Sequence, residues 1–272
     1  MKTILVATDF SSPASNAVDY AAHIAHETGA GLVIFNVFKL SNHASHSLAS
    51  NTGVEIMMAK SEQQLLELAK EIIDRFEIKV RWELWKDNTI ESLKEYTLTH
   101  AVDLVVMGIE SNLVEYKLFG NTTTAAIRLM QFPLLVVPND IKFEGINKVM
   151  YACEASYLKE NCRLDVLKQF VKDFDADLDV FHVNTQDMEK DEELEKVINE
   201  KLKDQDHAFK YVHHRNVGEG IKEGLKKYPA DLLVMVPHRM GFFESLVKGS
   251  NTSHMTLTTR VPLLVIPNDK VC

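Results

Sequence analysis

The sequence predicts an α/β fold built as two tandem units, each a five-stranded, mainly parallel sheet with helices on both faces. Three observations predict it. Strand-like apolar runs alternate with helix-period segments along the chain, the pattern of βαβ units joined by right-handed crossovers. The stretch FPLLVVPND at 132–140 returns nearly unchanged as VPLLVIPND at 261–269, 129 positions later. Two further pairs share a longer offset: ILVATDFS (4–11) with VMYACEAS (149–156), 145 positions on, and VIFNVF (33–38) with DVFHVN (179–184), 146 positions on. A period near half of the 272-residue chain means two copies of one domain, not a solenoid with a repeat of about 20–50 residues. The shrinking offset puts extra residues in the middle of the first copy. The units divide at 1–142 and 143–272, each of ordinary domain size.

The first unit opens with the apolar run KTILVATDF, a buried strand. Ser12 is the expected N-cap of the next helix, and Pro13 suits a first turn, where its missing N–H is not needed. Ala14, Ala17, Val18, Ala21, Ala22 and Ala25 recur at the helix period, and Gly29 and Gly31 stop the helix. LVIFNVF is the second strand; the polar stretch 41–53 is a predicted loop. A second helix is predicted over Glu55 to Arg75. IKVRWELW alternates apolar with polar residues, a strand with two unlike faces. The third helix, opened by Asp87 or Asn88, is followed by the strand VDLVVMG, a fourth helix in NTTTAAIRLM (121–130), and the strand PLLVVP. The second unit repeats this order with a shorter middle.

Composition fits a soluble globular chain. Apolar residues make up 46% and charged residues 25%, enough to build a core. No apolar run approaches the ~20 residues that span a bilayer. The chain enters its first strand at once, leaving no room for a signal peptide, so a cytoplasmic setting is expected. The three cysteines, Cys153, Cys162 and Cys272, form no disulfide framework. A net charge of −9 argues against nucleic acid or an anionic membrane as partner.

In open parallel sheets, ligands bind at the carboxyl ends of the strands. There the first unit brings Ala7, Thr8 and Asp9 after strand one, Val37 at the end of strand two, and Met107 and Gly108 at the end of strand four. Gly120, Asn121 and Thr122 open the fourth helix, where free N–H groups and the positive dipole end make an anion site. The matching positions of the second unit are Glu154, Val183, Gly249, Ser250 and Asn251. Each has a plainer alternative. Asp9 serves equally as a helix cap, and Gly120-Asn121-Thr122 as a turn. His23, His26, His43 and His46, and the group His207, His213 and His214, read as solvent-facing; no acidic or cysteine pair completes a metal-ligand set. Cys153 reads as a small buried residue. The acidic run from Asp187 to Glu195 reads as the solvated first turns of a helix. No nucleophile–base pair and no metal cluster is evident, so no ordinary enzyme activity is expected.

These residues resemble the universal stress protein family in its tandem two-domain form. The resemblance spans essentially the whole chain. It is carried by Asp9 with FSSPASNA, by DLVVMG, by the GNTT and GSNT helix starts, and by the paired PLLVVP and PLLVIP strands. It implies a Rossmann-like, adenine nucleotide alpha hydrolase-like fold for each unit. It further implies that the acid after strand one contacts a nucleotide ribose, that strand-two backbone receives adenine, and that a loop G-x2-G-x9-G-[ST] holds phosphates. Both copies depart from that loop. In the first, Ser111 replaces the second glycine and Gly120 arrives one residue early, before Asn121. In the second, Val236 or Pro237 stands for the first glycine and Glu154 for the acid, although Gly249-Ser250 is intact.

Two function classes follow. One is a stress-response interaction protein without turnover, acting on a protein partner the sequence does not name. The other is a sensor holding ATP or another adenine nucleotide in the first unit, with slow hydrolysis at most. The repeated nonapeptide carries its own expectation. Leu134 to Val137 should pair antiparallel with Leu263 to Ile266, making an intrachain pseudo-dimer that covers two otherwise open sheet edges.

Overall fold

The computed structural model describes residues 1–38, 51–86, 88–110, 126, 132–153, 164–185, 192–236 and 261–267. The first half runs β1 (Thr3–Ala7), α1 (Ser12–Thr28), β2 (Gly31–Phe38), α2 (Asn51–Phe76), β3 (Val80–Lys86), α3 (Thr89–Thr99), β4 (Leu104–Ile109) and β5 (Leu134–Pro138). The second runs β6 (Lys148–Ala152), α4 (Asp165–Phe174), β7 (Asp177–Asn184), α5 (Glu192–Lys201), β8 (Ala208–His213), α6 (Val217–Lys227), β9 (Leu232–Met235) and β10 (Leu263–Val265). The predicted fourth helix of the first unit lies outside the described residues, except Ala126, which is helical and buried.

The described strands form a single ten-stranded sheet in the order β3-β2-β1-β4-β5-β10-β9-β6-β7-β8. Each half is parallel and five-stranded, and the second is the mirror order of the first. The halves meet antiparallel, with Leu263 opposite Val136, Leu264 opposite Leu135 and Val265 opposite Leu134. The ladder is shorter than the predicted one: it spans Leu134 to Val136 and Leu263 to Val265, leaving Val137 and Ile266 paired only on the β4 and β9 sides. Pro133 and Pro262 open the two strands. Lacking N–H groups, they offer carbonyls that accept from Val105 at 2.9 Å and Leu233 at 3.0 Å.

Side chains alternate across this sheet, so the core has two layers that each run through both halves. Leu135, Val137, Leu264 and Ile266 join the layer under α1, α2, α4 and α5. Leu134, Val136, Leu263 and Val265 join the layer on the α3 and α6 side. Burial on both faces explains why the repeated segments are apolar without alternation. The outer strands β3 and β8 carry Arg81, Glu83 and Lys210, charges that discourage pairing with another chain.

Two helix starts differ from the sequence reading. Ser11, not Ser12, caps α1: its Oγ accepts from the Ala14 N–H at 3.4 Å. The cause is Phe10, whose φ of 62° turns the chain into the helix one residue early. Helix α2 starts at Asn51, inside the predicted loop. Its buried residues, Leu65, Ala69, Ile72 and Phe76, begin only midway, and its first residues belong to a polar, turn-rich stretch that hides the start.

A strap, residues 139–147, leads from β5 to β6 across α1. Buried Asn16 donates Nδ2 to the carbonyls of Pro138 (2.9 Å) and Ile141 (2.8 Å) and accepts from Lys142 Nζ at 2.7 Å. The Phe143 ring meets Tyr20 edge-on at 5.0 Å, stacks on His23 at 5.0 Å, and touches Phe174 of α4 at 6.4 Å.

Candidate functional site

The carboxyl ends of β1, β2 and β4 open into a cavity of about 330 Å³. This is the low end of the range for small-ligand sites. Ala7, Thr8, Asp9, Val37, Met107 and Gly108 all line it. Gly120, Asn121 and Thr122 lie outside the described residues. Sequence reasoning missed Asn36, Ser61 and Thr89, which also line it. A polar residue inside the apolar run VIFNVF was a legible signal for Asn36. Ser61 and Thr89 are brought in by the packing of α2 and α3, which local sequence does not reveal.

The turn after β1 is fixed by short-range hydrogen bonds. The Thr8 N–H donates to the Phe35 carbonyl at 2.8 Å, and the Thr8 carbonyl accepts from Asn36 Nδ2 at 2.7 Å. Thr8 Oγ1 accepts from the Phe10 N–H and Asp9 Oδ1 from the Ser11 N–H, each at 3.0 Å. Asp9 is therefore a turn former rather than the cap of α1. It is exposed, and Oδ2 makes no hydrogen bond with the described residues. A short polar side chain that bonds two residues ahead is the usual way to hold such a turn.

Gly108 has a structural reason of its own. A Cβ there would run into the Pro13 carbonyl, so the glycine lets the first turn of α1 lie against β4. Its presence in the sequence therefore does not by itself mark phosphate approach. Below the cavity, Phe35 meets Tyr96 edge-on at 5.4 Å and Trp85 at 5.8 Å. Burial, with Glu83 adding, pushes the Tyr96 phenol above its ordinary value.

The second half is built differently at the matching place. Glu154, Gly249, Ser250 and Asn251 lie outside the described residues. Val183 is buried, and its methyls lie where a Cβ on Gly220 of α6 would fall, so α6 closes directly over the end of β7. Val236 occupies the position of Gly108. Cys153 is buried, as expected from its place at a strand end, with Sγ 3.4 Å from the Phe181 carbonyl.

Three histidines depart from the solvent-facing reading. His23 is half-buried between Phe143 and Phe76, because α1 packs against the strap and the end of α2. His207 and His214 are also half-buried, and His207 Nε2 lies 3.0 Å from Asn199 Oδ1. His43 and His46 fall outside the described residues. No group of metal-binding side chains occurs among the described residues. Of the acidic run, Glu192, Glu193 and Glu195 stand in the first turn of α5, and Glu195 accepts from the Tyr211 hydroxyl at 2.7 Å. No described helix is long and apolar enough to cross a membrane.

A tandem α/β sheet with a cavity at the strand-one turn defines the class of protein. A model of the universal stress protein family matches residues 1–138, and the chain belongs to that family. The fold is similar to that of a universal stress protein from Archaeoglobus fulgidus DSM 4304: TM-score 0.76, 18% identity, 98% of each chain covered. It is also similar to a protein assigned to the same family from Pseudomonas aeruginosa UCBPP-PA14: TM-score 0.61, 15% identity, 99% of this chain and 94% of that one covered. At such identities the likeness speaks for the fold alone. No curated protein is significantly similar in sequence.

Proposed function

We propose that this universal stress protein works in the cytoplasm by binding rather than turnover, and that its first half takes the nucleoside part of an adenine nucleotide. The observation that carries the reading is the cavity where Ala7, Thr8, Asp9, Val37, Met107 and Gly108 converge. Its described wall holds one carboxylate, Asp9, and no lysine, arginine or histidine. Such a wall suits an uncharged base on apolar surface and a diol donating to a carboxylate. Adenine nucleotides carry both. Occupancy would then be read out by a protein partner.

The second half is proposed not to bind. Closure of α6 over Val183 and the valine at position 236 support this. The units are taken to divide at 142 and 143, within the strap: Lys142 bonds to α1, and Phe143 touches rings of both halves. The test is mass spectrometry of nucleotide carried through purification, with calorimetry of ATP and adenosine binding to wild type, Asp9→Ala and Glu154→Ala. Binding weakened by Asp9→Ala and unchanged by Glu154→Ala is expected. Binding lost only on Glu154→Ala moves the site to the second half. No binding at millimolar ligand removes the nucleotide reading and leaves interaction with a protein.

A further inference from the structure

We infer that Asn36 is a positioning residue for the strand-one turn, holding Asp9 in place through the Thr8 carbonyl. The inference on ligand affinity rests on the proposed nucleotide reading; the inference on the turn does not. Asn36 is a polar side chain, 5% exposed, in an otherwise apolar strand. Burying an amide is unfavourable unless it is hydrogen-bonded. Its Nδ2 reaches the Thr8 carbonyl at 2.7 Å, and that carbonyl belongs to the peptide leading into Asp9. With the Thr8 N–H bonded to Phe35, β2 grips this residue at both ends. Beyond it the turn relies on its own side chains, Thr8 Oγ1 and Asp9 Oδ1, and on Phe10 in the left-handed region. A left-handed phenylalanine persists only when its surroundings hold it there. Among the described residues, the Asn36 bond is the side-chain contact from another element that does so at Thr8.

The second half repeats the device with a different residue. His182 aligns with Asn36 and Cys153 with Thr8. His182 Nδ1 lies 3.1 Å from the Cys153 carbonyl, while the Cys153 N–H bonds the Phe181 carbonyl at 2.9 Å. The same grip, made once by an amide and once by an imidazole, is what a shared positioning task requires. A chance polar contact would have no reason to recur on the matching carbonyl after the two copies diverged in residue type.

The experiment compares Asn36→Leu, which keeps the branched skeleton and removes the donor, with Asn36→His, the residue used in the other half. In ligand-free protein, amide hydrogen exchange is followed at Phe10 and Ser11, whose N–H groups bond Thr8 Oγ1 and Asp9 Oδ1. Asn36→Leu should accelerate both at least tenfold relative to amides of α3, and Asn36→His should restore wild-type protection. Unchanged exchange in Asn36→Leu, or acceleration equal at every amide, overturns the inference. Affinity for ATP gives the second readout. Asn36→Leu should weaken binding about tenfold in wild type and add nothing in an Asp9→Ala background; an equal loss in both backgrounds overturns action through Asp9. If wild type binds no ATP, the nucleotide reading fails, and the exchange comparison still decides the positioning role.

Discussion

Leu135 stands opposite Leu264 in the antiparallel ladder between β5 and β10, and both side chains are fully buried in the same core layer. The pair makes the two halves one sheet. Without β10, β5 would show a row of open N–H and C=O groups along an apolar edge, a template for another strand. The isolated fragment 1–142 should therefore self-associate, and sedimentation velocity should show dimers that the full chain does not form through this edge. A strictly monomeric fragment would refute the argument.

Substitution inside that ladder should be costly. Val136 faces Leu263 on one side and Met107 on the other. Proline at this position removes an N–H and leaves a buried partner carbonyl unpaired, so Val136→Pro should cost about 3 kcal/mol or more. Urea unfolding measures it. A loss below about 1 kcal/mol would mean that the ladder contributes little net stability.

Gly108→Ala tests the close approach of α1 to β4. The new methyl meets backbone at Pro13 rather than a flexible side chain, so the helix start must shift. Overpacking of this kind costs about 1–3 kcal/mol. A lower midpoint in urea, with broader amide signals in residues 11–16, is the expected result. An unchanged midpoint would show that the first turn yields freely.

Much of this was legible in the sequence, and the gaps have physical causes. The repeat and the apolar runs gave the tandem parallel sheet, because strands buried on both faces must be continuously apolar. The same repeat gave the β5–β10 pairing, although not its length, which is three residue pairs. Asp9 and Val37 were reachable because strand ends are readable. Ser61 was not: its helix is legible, but only the packing of α2 brings this residue to the cavity. Gly108 lines the cavity and also admits the first turn of α1, and sequence alone cannot separate those two roles.

Asp9→Ala should weaken adenine-nucleotide binding by about 1.5–3 kcal/mol, the scale of one hydrogen bond to a charged group. Its cost to stability should be smaller, since Ser11 rather than Asp9 caps α1. Calorimetry and thermal melts on the same samples separate the two. A large fall in melting temperature with unchanged affinity would make Asp9 a structural residue only.

Stability should decline in alkali because of Tyr20. It is 3% exposed on α1, against the Phe143 ring. Burial first, then the nearby charges of Asp231 and Glu27, pushes its phenol well above the ordinary value. The unfolded phenol releases its proton near pH 10, whereas the folded one keeps it. Above about pH 10 the unfolded state therefore binds fewer protons, and stability falls as pH rises, by at most about 1.4 kcal/mol per pH unit for one phenol. Below that pH the contribution is fully present. Buried Tyr96, shifted in the same direction, adds to the decline. Lysines titrate in the same window, so the comparison is with Tyr20→Phe, which keeps the ring and removes the ionisable group. Urea midpoints from pH 8 to 11 should fall less steeply in the variant. Parallel curves would mean that Tyr20 reaches solvent before it ionises.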